Sequence, residues 1–214
     1  MDIRNRIAKR VAAFFQPGDV VNLGIGMPSL CPNYSDPTVL FHTENGLIGT
    51  GPTATGLHSM TNFTNASGQA ITPLPGAVSF DSATSFAIVR SGRLAATVLG
   101  ALQVAENGDL ANWARPGYMV GMGGAMDLVC GVRKVIIAME LCTKKGDPKI
   151  LKECSFPLTG KGVVDHIVTE QCVIDVTPDG LVLTDIIEGV TPEDIASKIE
   201  PDLKVSDNLK IMES

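Results

Sequence analysis

The chain has 214 residues, of which 44% are hydrophobic, and it carries 17 lysines and arginines against 23 aspartates and glutamates. A chain of this length can bury one compact core, and no change in composition marks a second, so we predict a single domain spanning residues 1–214. The net charge of -6 leaves no excess of cations for a phosphate backbone or an anionic lipid surface. Nucleic acid and membranes are therefore excluded as expected partners.

The N-terminal segment reads as an amphipathic helix over residues 2–15. Ile3, Ile7 and Val11 share one helical face, and Asp2 precedes the first turn as a candidate N-cap. The segment lacks the continuous apolar stretch and the cleavage site of a secretory signal. Apolar runs elsewhere are shorter than the roughly 20 residues that span a bilayer. We expect a soluble, cytoplasmic protein.

The cysteines and histidines show no spacing typical of metal ligands. The five cysteines form an odd set without a C-x-x-C pair, and the three histidines are scattered along the chain. We predict free thiols and no metal site. The residues are Cys31, Cys130, Cys142, Cys154, Cys172, His42, His58 and His166.

Predicted strands alternate with predicted helices along the chain. Apolar, β-branched runs predict strands at 20–26, 38–43, 94–102, 134–139, 163–176 and 181–187. Residues 82–90 and 191–199 read as helices, the second opened by a capping-box pattern. This order favours an α/β fold with an open, mainly parallel sheet and flanking helices. We expect residues 56–69 to form a surface loop and the polar tail after Leu203 to fray.

Three glycine-rich segments lie at 22–28, 44–52 and 121–127, and the first two follow predicted strands. Loops at the carboxyl ends of parallel strands converge on one crevice, so the three segments are expected to line one site with closely approachable backbone amides. The first segment lacks the third glycine of a dinucleotide fingerprint, and a Walker A lysine is missing. These motifs do not predict phosphate binding.

Glu44 is the most unusual residue of these segments. It stands at a strand end before Asn45-Gly46, in a turn and not on a solvated helical face, and apolar and small residues follow it at 47–52. Such surroundings are expected to desolvate the carboxylate and make it more nucleophilic. His42, two residues earlier on an alternating strand, is expected to face the same side; we interpret it as a packed or hydrogen-bonded histidine.

Taken together, these segments resemble the β subunit, or C-terminal half, of family I 3-oxoacid CoA-transferases, and the resemblance covers essentially the whole chain. The acid motif of the family appears as TENGLIGTGP at 43–52. Five further motifs stand in family order: VNLGIG at 21–26, LPGA at 74–77, LGALQV at 99–104, GDLANW at 108–113 and GMGGAMDLV at 121–129. The chain departs from the family at Thr43, where serine is usual, and at His42, where glutamine is frequent. The segment before Gly121 is one residue shorter than in some members.

The resemblance implies a fold like that of CoA transferases and ribose-5-phosphate isomerase, with Glu44 as the catalytic nucleophile. It further implies that Asn22 and the backbone around 123–125 lie about the thioester carbonyl and the coenzyme A. The full set of implied substrate, coenzyme A and oxyanion residues is Asn22, Gly24, Gly26, Gly123, Gly124 and Ala125. Coenzyme A is then a substrate, and no cofactor is implied. A separate α subunit, in an α2β2 assembly, is the implied partner.

The implied reaction transfers coenzyme A between a short-chain acyl-CoA, such as acetyl- or butyryl-CoA, and an acid such as acetoacetate. An ionised glutamate needs no general base for its attack, and amides of a glycine turn suit the tetrahedral oxyanion. Two alternatives stay open on the same architecture: a sugar-phosphate isomerase or deaminase, and a ligand-sensing domain without catalysis.

Overall fold

The computed structural model describes residues 2–53, 62–119 and 121–212. Its helices are α1 (Ile3–Ala12), α2 (Ser82–Arg90), α3 (Ala125–Gly131) and α4 (Pro192–Ala196), with a 3-10 helix at Met27–Asn33. Its strands are β1 (Val20–Leu23), β2 (Leu40–Thr43), β3 (Leu47–Thr53), β4 (Ile71–Ser79), β5 (Ala96–Leu99), β6 (Gln103–Ala105), β7 (Leu110–Ala111), β8 (Ala114–Arg115), β9 (Tyr118–Met119), β10 (Val135–Ala138), β11 (Ile150–Leu151), β12 (His166–Val168), β13 (Cys172–Thr177), β14 (Gly180–Ile187) and β15 (Leu203–Met212).

Ten strands form the central sheet, in the order β15-β14-β13-β12-β10-β5-β1-β2-β3-β4. The five central strands from β12 to β2 run parallel, whereas β3, β4 and β13 join as antiparallel neighbours. The parallel centre confirms the predicted sheet type. The carboxyl ends of β2, β1 and β5 lie side by side at one edge, and this edge carries the candidate site.

The core divides into two layers because successive residues of a buried strand face opposite sides of the sheet. On one face, α1 packs Ile7 and Val11 against strand residues such as Ile136. On the other face, α2, α3 and α4 cover the strand residues that alternate with these, such as Val135 and Ile137. Helices on both faces make the central strands apolar throughout, which is why their sequences read as continuous apolar runs.

The three predicted helices begin where the sequence predicts, whereas α3 was not predicted. Asp2 accepts a hydrogen bond from the backbone of Asn5 and caps α1, and Asp81 does the same for α2 from Thr84. Thr191 and Asp194 form the capping box of α4, which is shorter than the predicted segment 191–199. In the described part of the chain, no helix is long and apolar enough to cross a membrane.

Two predictions about strands were wrong. Segment 163–176 is not one strand: β12 and β13 form an antiparallel hairpin, whose turn is held by the Thr169 hydroxyl as it accepts from the Cys172 amide. The tail after Leu203 does not fray, because residues 203–212 form β15 and pair in parallel with β14. The partner strand supplies the hydrogen bonds that a polar tail could not provide for itself.

The predicted surface loop at 56–69 is only partly described. Residues 56–61 lie outside the described residues. Residues 62–69 are mostly exposed, and a bridge between Thr64 and Ala70 closes this part of the loop. The side chain of Asn45 donates to the carbonyl of Thr64 at 2.8 Å, which ties the loop to the turn that carries Glu44.

Candidate active site

Glu44 lies in the turn of a β-hairpin between β2 and β3. The turn spans 44–46, and the Gly46 amide donates to the Thr43 carbonyl at 3.0 Å. Gly46 has a φ of +117°, and a Cβ there would collide with the carbonyl of Phe80, so only glycine fits this turn. The hairpin therefore holds Glu44 at the carboxyl edge of the sheet with little freedom in its backbone.

The Glu44 carboxylate borders a cavity of about 600 Å³. The cavity is lined by Leu23, Gly24, Ile25, Glu44, Ala66, Leu99, Gly100, Ala101, Leu102, Asn112, Tyr118, Gly121, Met122, Gly123, Gly124, Ala125 and Leu128. The three glycine-rich segments of the sequence thus converge in space, each contributing residues to one wall. A further segment, 99–102 at the end of β5, contributes the floor between them.

The backbone of Gly124 lies against the Glu44 carboxylate. Burial raises the pKa of Glu44, and the nearby Gly124 amide opposes the shift because it favours the charged form. A Cβ placed on Gly124 would lie 2.5 Å from Glu44 Oε2 and 2.6 Å from Phe86 Cζ. The carboxylate is therefore partly desolvated, and a side chain at position 124 would force the ends of Glu44 and Phe86 to shift.

Glu44 is partly desolvated, but the residues predicted to desolvate it, 47–52, are not the ones that surround it. The cavity wall beside it comes from β1, β5 and the 121–125 segment, whereas residues 47–52, which follow it in sequence, are absent from the cavity lining. Leu47 is instead buried in the core as part of β3. The hairpin turns these residues away from the cavity, because β3 runs back along the sheet.

The implied binding residues do not all reach this cavity. Gly24, Gly123, Gly124 and Ala125 line it, but Gly26 lines a neighbouring cavity of about 440 Å³ that shares residues 23–25. Among the three turn residues, the Ala125 amide already donates to the Met122 carbonyl at 3.3 Å. Gly124 is thus the turn residue whose amide is directed at Glu44.

Asn22 is buried beneath the cavity and is absent from its lining. Its Oδ1 accepts from the Thr97 hydroxyl at 2.9 Å, and its Nδ2 lies 3.1 Å from His42 Nδ1. The Asn22 side chain is therefore engaged below the cavity, and its implied contact with a thioester stays a prediction. The burial of Asn22 agrees with its place in the strand predicted at 20–26, and its side chain lies on the side of β1 that faces α2.

His42 lies between Ser85 and Asn22, in an arrangement similar to the catalytic triad of a hydrolase. The Ser85 hydroxyl lies 2.9 Å from His42 Nε2, and Asn22 contacts Nδ1. Ser85 and His42 are both 0% exposed, so the hydroxyl cannot meet a substrate. This arrangement does not support a serine nucleophile.

Two further residues of the site were not among the implied binding residues. Phe86 packs its ring edge on Gly124 from α2, and Asn112 lines the cavity while donating to the Gly100 carbonyl at 3.3 Å. The hydroxyl of Thr159 donates to Asn112 Oδ1 at 2.6 Å. Asn112 stood in a recognised motif, but only the fold brings it to the end of β5.

Comparisons with known proteins agree with this architecture. The profile of the family described as coenzyme A transferase matches residues 4–198. Among solved structures, an acyl-CoA transferase from Escherichia coli O157:H7 superposes with a TM-score of 0.81 at 21% identity, covering 99% of this chain and 43% of that one. Glutaconate coenzyme A-transferase from Acidaminococcus fermentans has a TM-score of 0.75 at 16% identity, covering 99% of this chain and 91% of that one. A variant of the decarboxylase AibA/AibB reaches 0.73 at 16% identity, with coverage of 99% and 90%.

Relatives in sequence are more similar. The chain is 48% identical to the mitochondrial succinyl-CoA:3-ketoacid coenzyme A transferase 2B of Mus musculus over 98% of its own length, and it spans 41% of that protein. It is 47% identical to the acetate CoA-transferase subunit beta of Escherichia coli K12, covering 98% of this chain and 97% of that subunit. Identity and coverage at this level establish the family. The chain belongs to the coenzyme A transferase family.

Proposed function

We propose that this chain is the β subunit of an enzyme that transfers coenzyme A between a short-chain acyl-CoA and a carboxylic acid, with Glu44 as the covalent carrier. The observation that supports this most directly is the Glu44 carboxylate itself, partly desolvated at the edge of an open cavity, with the backbone of Gly124 against it. Acetoacetate is the proposed acid, with acetyl- or butyryl-CoA as donor.

The proposed reaction begins when a Glu44 oxygen attacks the thioester carbonyl. The C–S bond breaks, coenzyme A leaves as thiolate, and a mixed anhydride forms on Glu44. The thiolate then attacks the glutamyl carbonyl and releases the donor's carboxylate, which leaves a glutamyl-CoA thioester. The acceptor carboxylate attacks this thioester, and the same two steps in reverse deliver the new acyl-CoA. No proton is gained or lost, so no general base is required.

Each addition passes through a tetrahedral oxyanion, which needs hydrogen-bond donors in a dry site. The turn at 123–125 is the proposed source, since glycines let a reacting group approach the backbone closely. Losing one such donor typically raises the barrier by roughly 3 kcal/mol. Of the implied set, Gly24 is proposed as a wall of the coenzyme A pocket, and Asn22 and Gly26 as residues beneath and beside it.

A partner subunit is proposed because the cavity is open. Anhydride and thioester intermediates hydrolyse in water, so the reacting group must be covered. Yet Ile25, Tyr118 and Met122 stand exposed around the cavity. The Escherichia coli relative is named as a subunit beta, and the mouse relative is one chain more than twice as long. We propose an α subunit over this face, in an α2β2 assembly in the cytoplasm.

The test is a covalent adduct on Glu44. The chain, co-expressed with its α subunit, is incubated with acetoacetyl-CoA without an acceptor acid, digested and examined by mass spectrometry. We expect a coenzyme A-sized mass on the peptide containing Glu44, lost when acetate is added. Glu44→Gln is the matched variant and should show no adduct.

Assays on the same preparation distinguish the transferase from the alternative functions proposed for this fold. A sugar-phosphate isomerase would interconvert phosphosugars without an adduct. A decarboxylase, an activity named for one structural neighbour, would release carbon dioxide. A sensing domain would bind acyl-CoA equally well after Glu44→Gln. Adduct-free turnover of any of these substrates contradicts the transferase.

A further inference from the structure

A continuous row of buried polar side chains crosses the sheet beneath the cavity. Ser85 of α2, His42 of β2, Asn22 of β1 and Thr97 of β5 are joined by hydrogen bonds of 2.9, 3.1 and 2.9 Å. All four are buried, in a layer otherwise filled by apolar residues. Buried polar groups are expensive unless paired, so this row is a specific feature and not an accident of packing.

The row assigns the tautomer of His42. Asn22 Nδ2 also lies 3.4 Å from the His42 carbonyl oxygen, which only accepts, so the amide nitrogen and not the amide oxygen faces His42. His42 Nδ1 is then the acceptor. Burial lowers the pKa of His42 to about 4, which keeps the ring neutral. The proton therefore sits on Nε2 and is donated to the Ser85 hydroxyl.

Ser85 also connects this row of polar side chains to Glu44 through contacts of α2. The next residue on α2, Phe86, packs its ring on Gly124, where a Cβ would lie 2.6 Å from Phe86 Cζ. Gly124 in turn lies against Glu44, because a Cβ on Gly124 would also lie 2.5 Å from Glu44 Oε2. Because Glu44 lies two residues after His42, the contacts close a ring: His42 to Ser85, Phe86 to Gly124, Gly124 to Glu44, and back along the chain.

The helix pair keeps this ring stiff. Gly131 of α3 packs on α2 so closely that a Cβ there would lie 2.6 Å from the Val89 carbonyl. Arg90 and Asp127 form an ion pair at 2.7 Å between the same helices. A shift of α2 relative to β2 therefore carries Phe86, and with it the 121–125 segment, away from the hairpin turn.

We propose that His42 is a positioning residue, whose hydrogen bond to Ser85 fixes α2 against β2 and thereby holds the Gly124 amide in place on the Glu44 carboxylate. This inference rests on the proposed function, because it assigns His42 a part in covalent chemistry at Glu44. His42 contacts no substrate itself. Its effect passes through Ser85, Phe86 and Gly124.

The test compares variants that break the ring at different points, each co-expressed with the α subunit. Ser85→Ala removes the partner of His42 with the smallest change in volume. His42→Leu removes both hydrogen bonds, whereas His42→Gln keeps one donor and one acceptor on a side chain of similar reach. Thr169→Val is the matched control, since it also loses hydrogen bonds of a fully buried hydroxyl but lies in the hairpin between β12 and β13.

The readouts are the single-turnover rate of thioester formation on Glu44, kcat and KM, and the melting temperature. We expect Ser85→Ala and His42→Leu to slow thioester formation roughly 10- to 100-fold at saturating acyl-CoA, with KM nearly unchanged. His42→Gln should recover most of the rate. Thr169→Val should lower the melting temperature without slowing the reaction. Amide exchange of the peptide at 121–127 should rise in Ser85→Ala and not in Thr169→Val.

Wild-type rates in Ser85→Ala, with a melting temperature lowered like that of Thr169→Val, would overturn the positioning role and leave the transferase intact. Unchanged exchange at 121–127 in a slow Ser85→Ala variant would also overturn it. A wild-type enzyme that forms no thioester on Glu44 would remove both proposals together. Because Ser85→Ala is a conservative change, the test does not depend on whether His42→Leu folds.

Discussion

The backbone of Gly124 lies against the carboxylate of Glu44, although 80 residues separate the two in the chain, and a Cβ on Gly124 would lie 2.5 Å from Glu44 Oε2. One contact thus joins the hairpin turn after β2 to the segment that begins α3. It lies beside an acid whose pKa burial raises.

Gly124→Ala is expected to slow the enzyme about 100-fold. A Cβ at 2.5 Å from Glu44 Oε2 and 2.6 Å from Phe86 Cζ is too close for any real contact, so the carboxylate or the ring must move. Displacement by an ångström at a reacting group lowers rates about 100-fold. The measurement is kcat for coenzyme A exchange between acetoacetyl-CoA and acetate.

Gly100→Ala is the control for that substitution. Gly100 also lines the cavity, but a Cβ there would meet its nearest neighbour, the Ala138 carbonyl, at 4.0 Å. A much smaller loss is expected. Equal losses in the two variants would mean that the close contact at Gly124 is not the cause.

Glu44→Gln is expected to lose activity roughly 1,000-fold or more while gaining stability at neutral pH. Burial raises the pKa of Glu44, so the folded state binds a proton more tightly than the unfolded state does. The wild type therefore becomes less stable as pH rises through the raised pKa of Glu44, because the folded state must then hold a partly desolvated charge. The melting temperature of Glu44→Gln should exceed that of the wild type at pH 8, and the difference should shrink in acid.

Glu106→Gln provides the control, because Glu106 is an exposed acid. It should leave the melting temperature nearly unchanged at every pH. A Glu44→Gln variant less stable than the wild type at pH 8 would contradict a desolvated carboxylate.

His42 is expected to make the protein sensitive to mild acid. Burial lowers its pKa from 6.5 to about 4, and its ring faces only the uncharged side chains of Asn22, Phe80 and Ser85 among the contacts described. Between these pH values the unfolded state binds a proton that the folded state does not. Stability should thus fall as pH falls from 6.5 to 4, by up to about 1.4 kcal/mol per pH unit.

The measurement is urea unfolding of the wild type and of His42→Gln at several pH values in that range. The variant has no titrating group at this position, so its stability should fall less steeply. If the stability of the wild type and that of His42→Gln fall equally steeply with pH, the titration of His42 is not the cause of the loss.

Removal of β15 is expected to destabilise the whole sheet. The strand pairs in parallel with β14 and buries Met212, with Leu203 and Leu209 packed against the core. Truncation after Asp202 should lower the free energy of unfolding by about 3 kcal/mol or more and leave β14 as an unprotected edge. Asp207→Ala, at an exposed position of the same strand, should be nearly neutral. The check is unfolding by guanidinium and light scattering of the folded state.

Most elements of the fold were predictable because they depend on local patterns. The capped helices α1 and α2 appear at the expected residues, and the parallel centre of the sheet follows from apolar strands alternating with helices. Strand β15 was missed because its hydrogen bonds come from β14, and because the polar residues at 206–208 interrupt its apolar residues. Strand β4 at 71–79 was missed for a similar reason, since Pro73 and Pro75 hide an edge strand.

The sequence by itself determined the identity of the acid, the glycine-rich segments around it and the resemblance to coenzyme A transferases, because these are properties of local order along the chain. Only the tertiary structure decided which groups surround Glu44, that Asn22 turns to His42 beneath the cavity, and that Phe86 and Asn112 belong to the site. Hydrogen bonds and desolvation act through distances in space, and residues far apart in the chain reach those distances only when the sheet and its helices have packed.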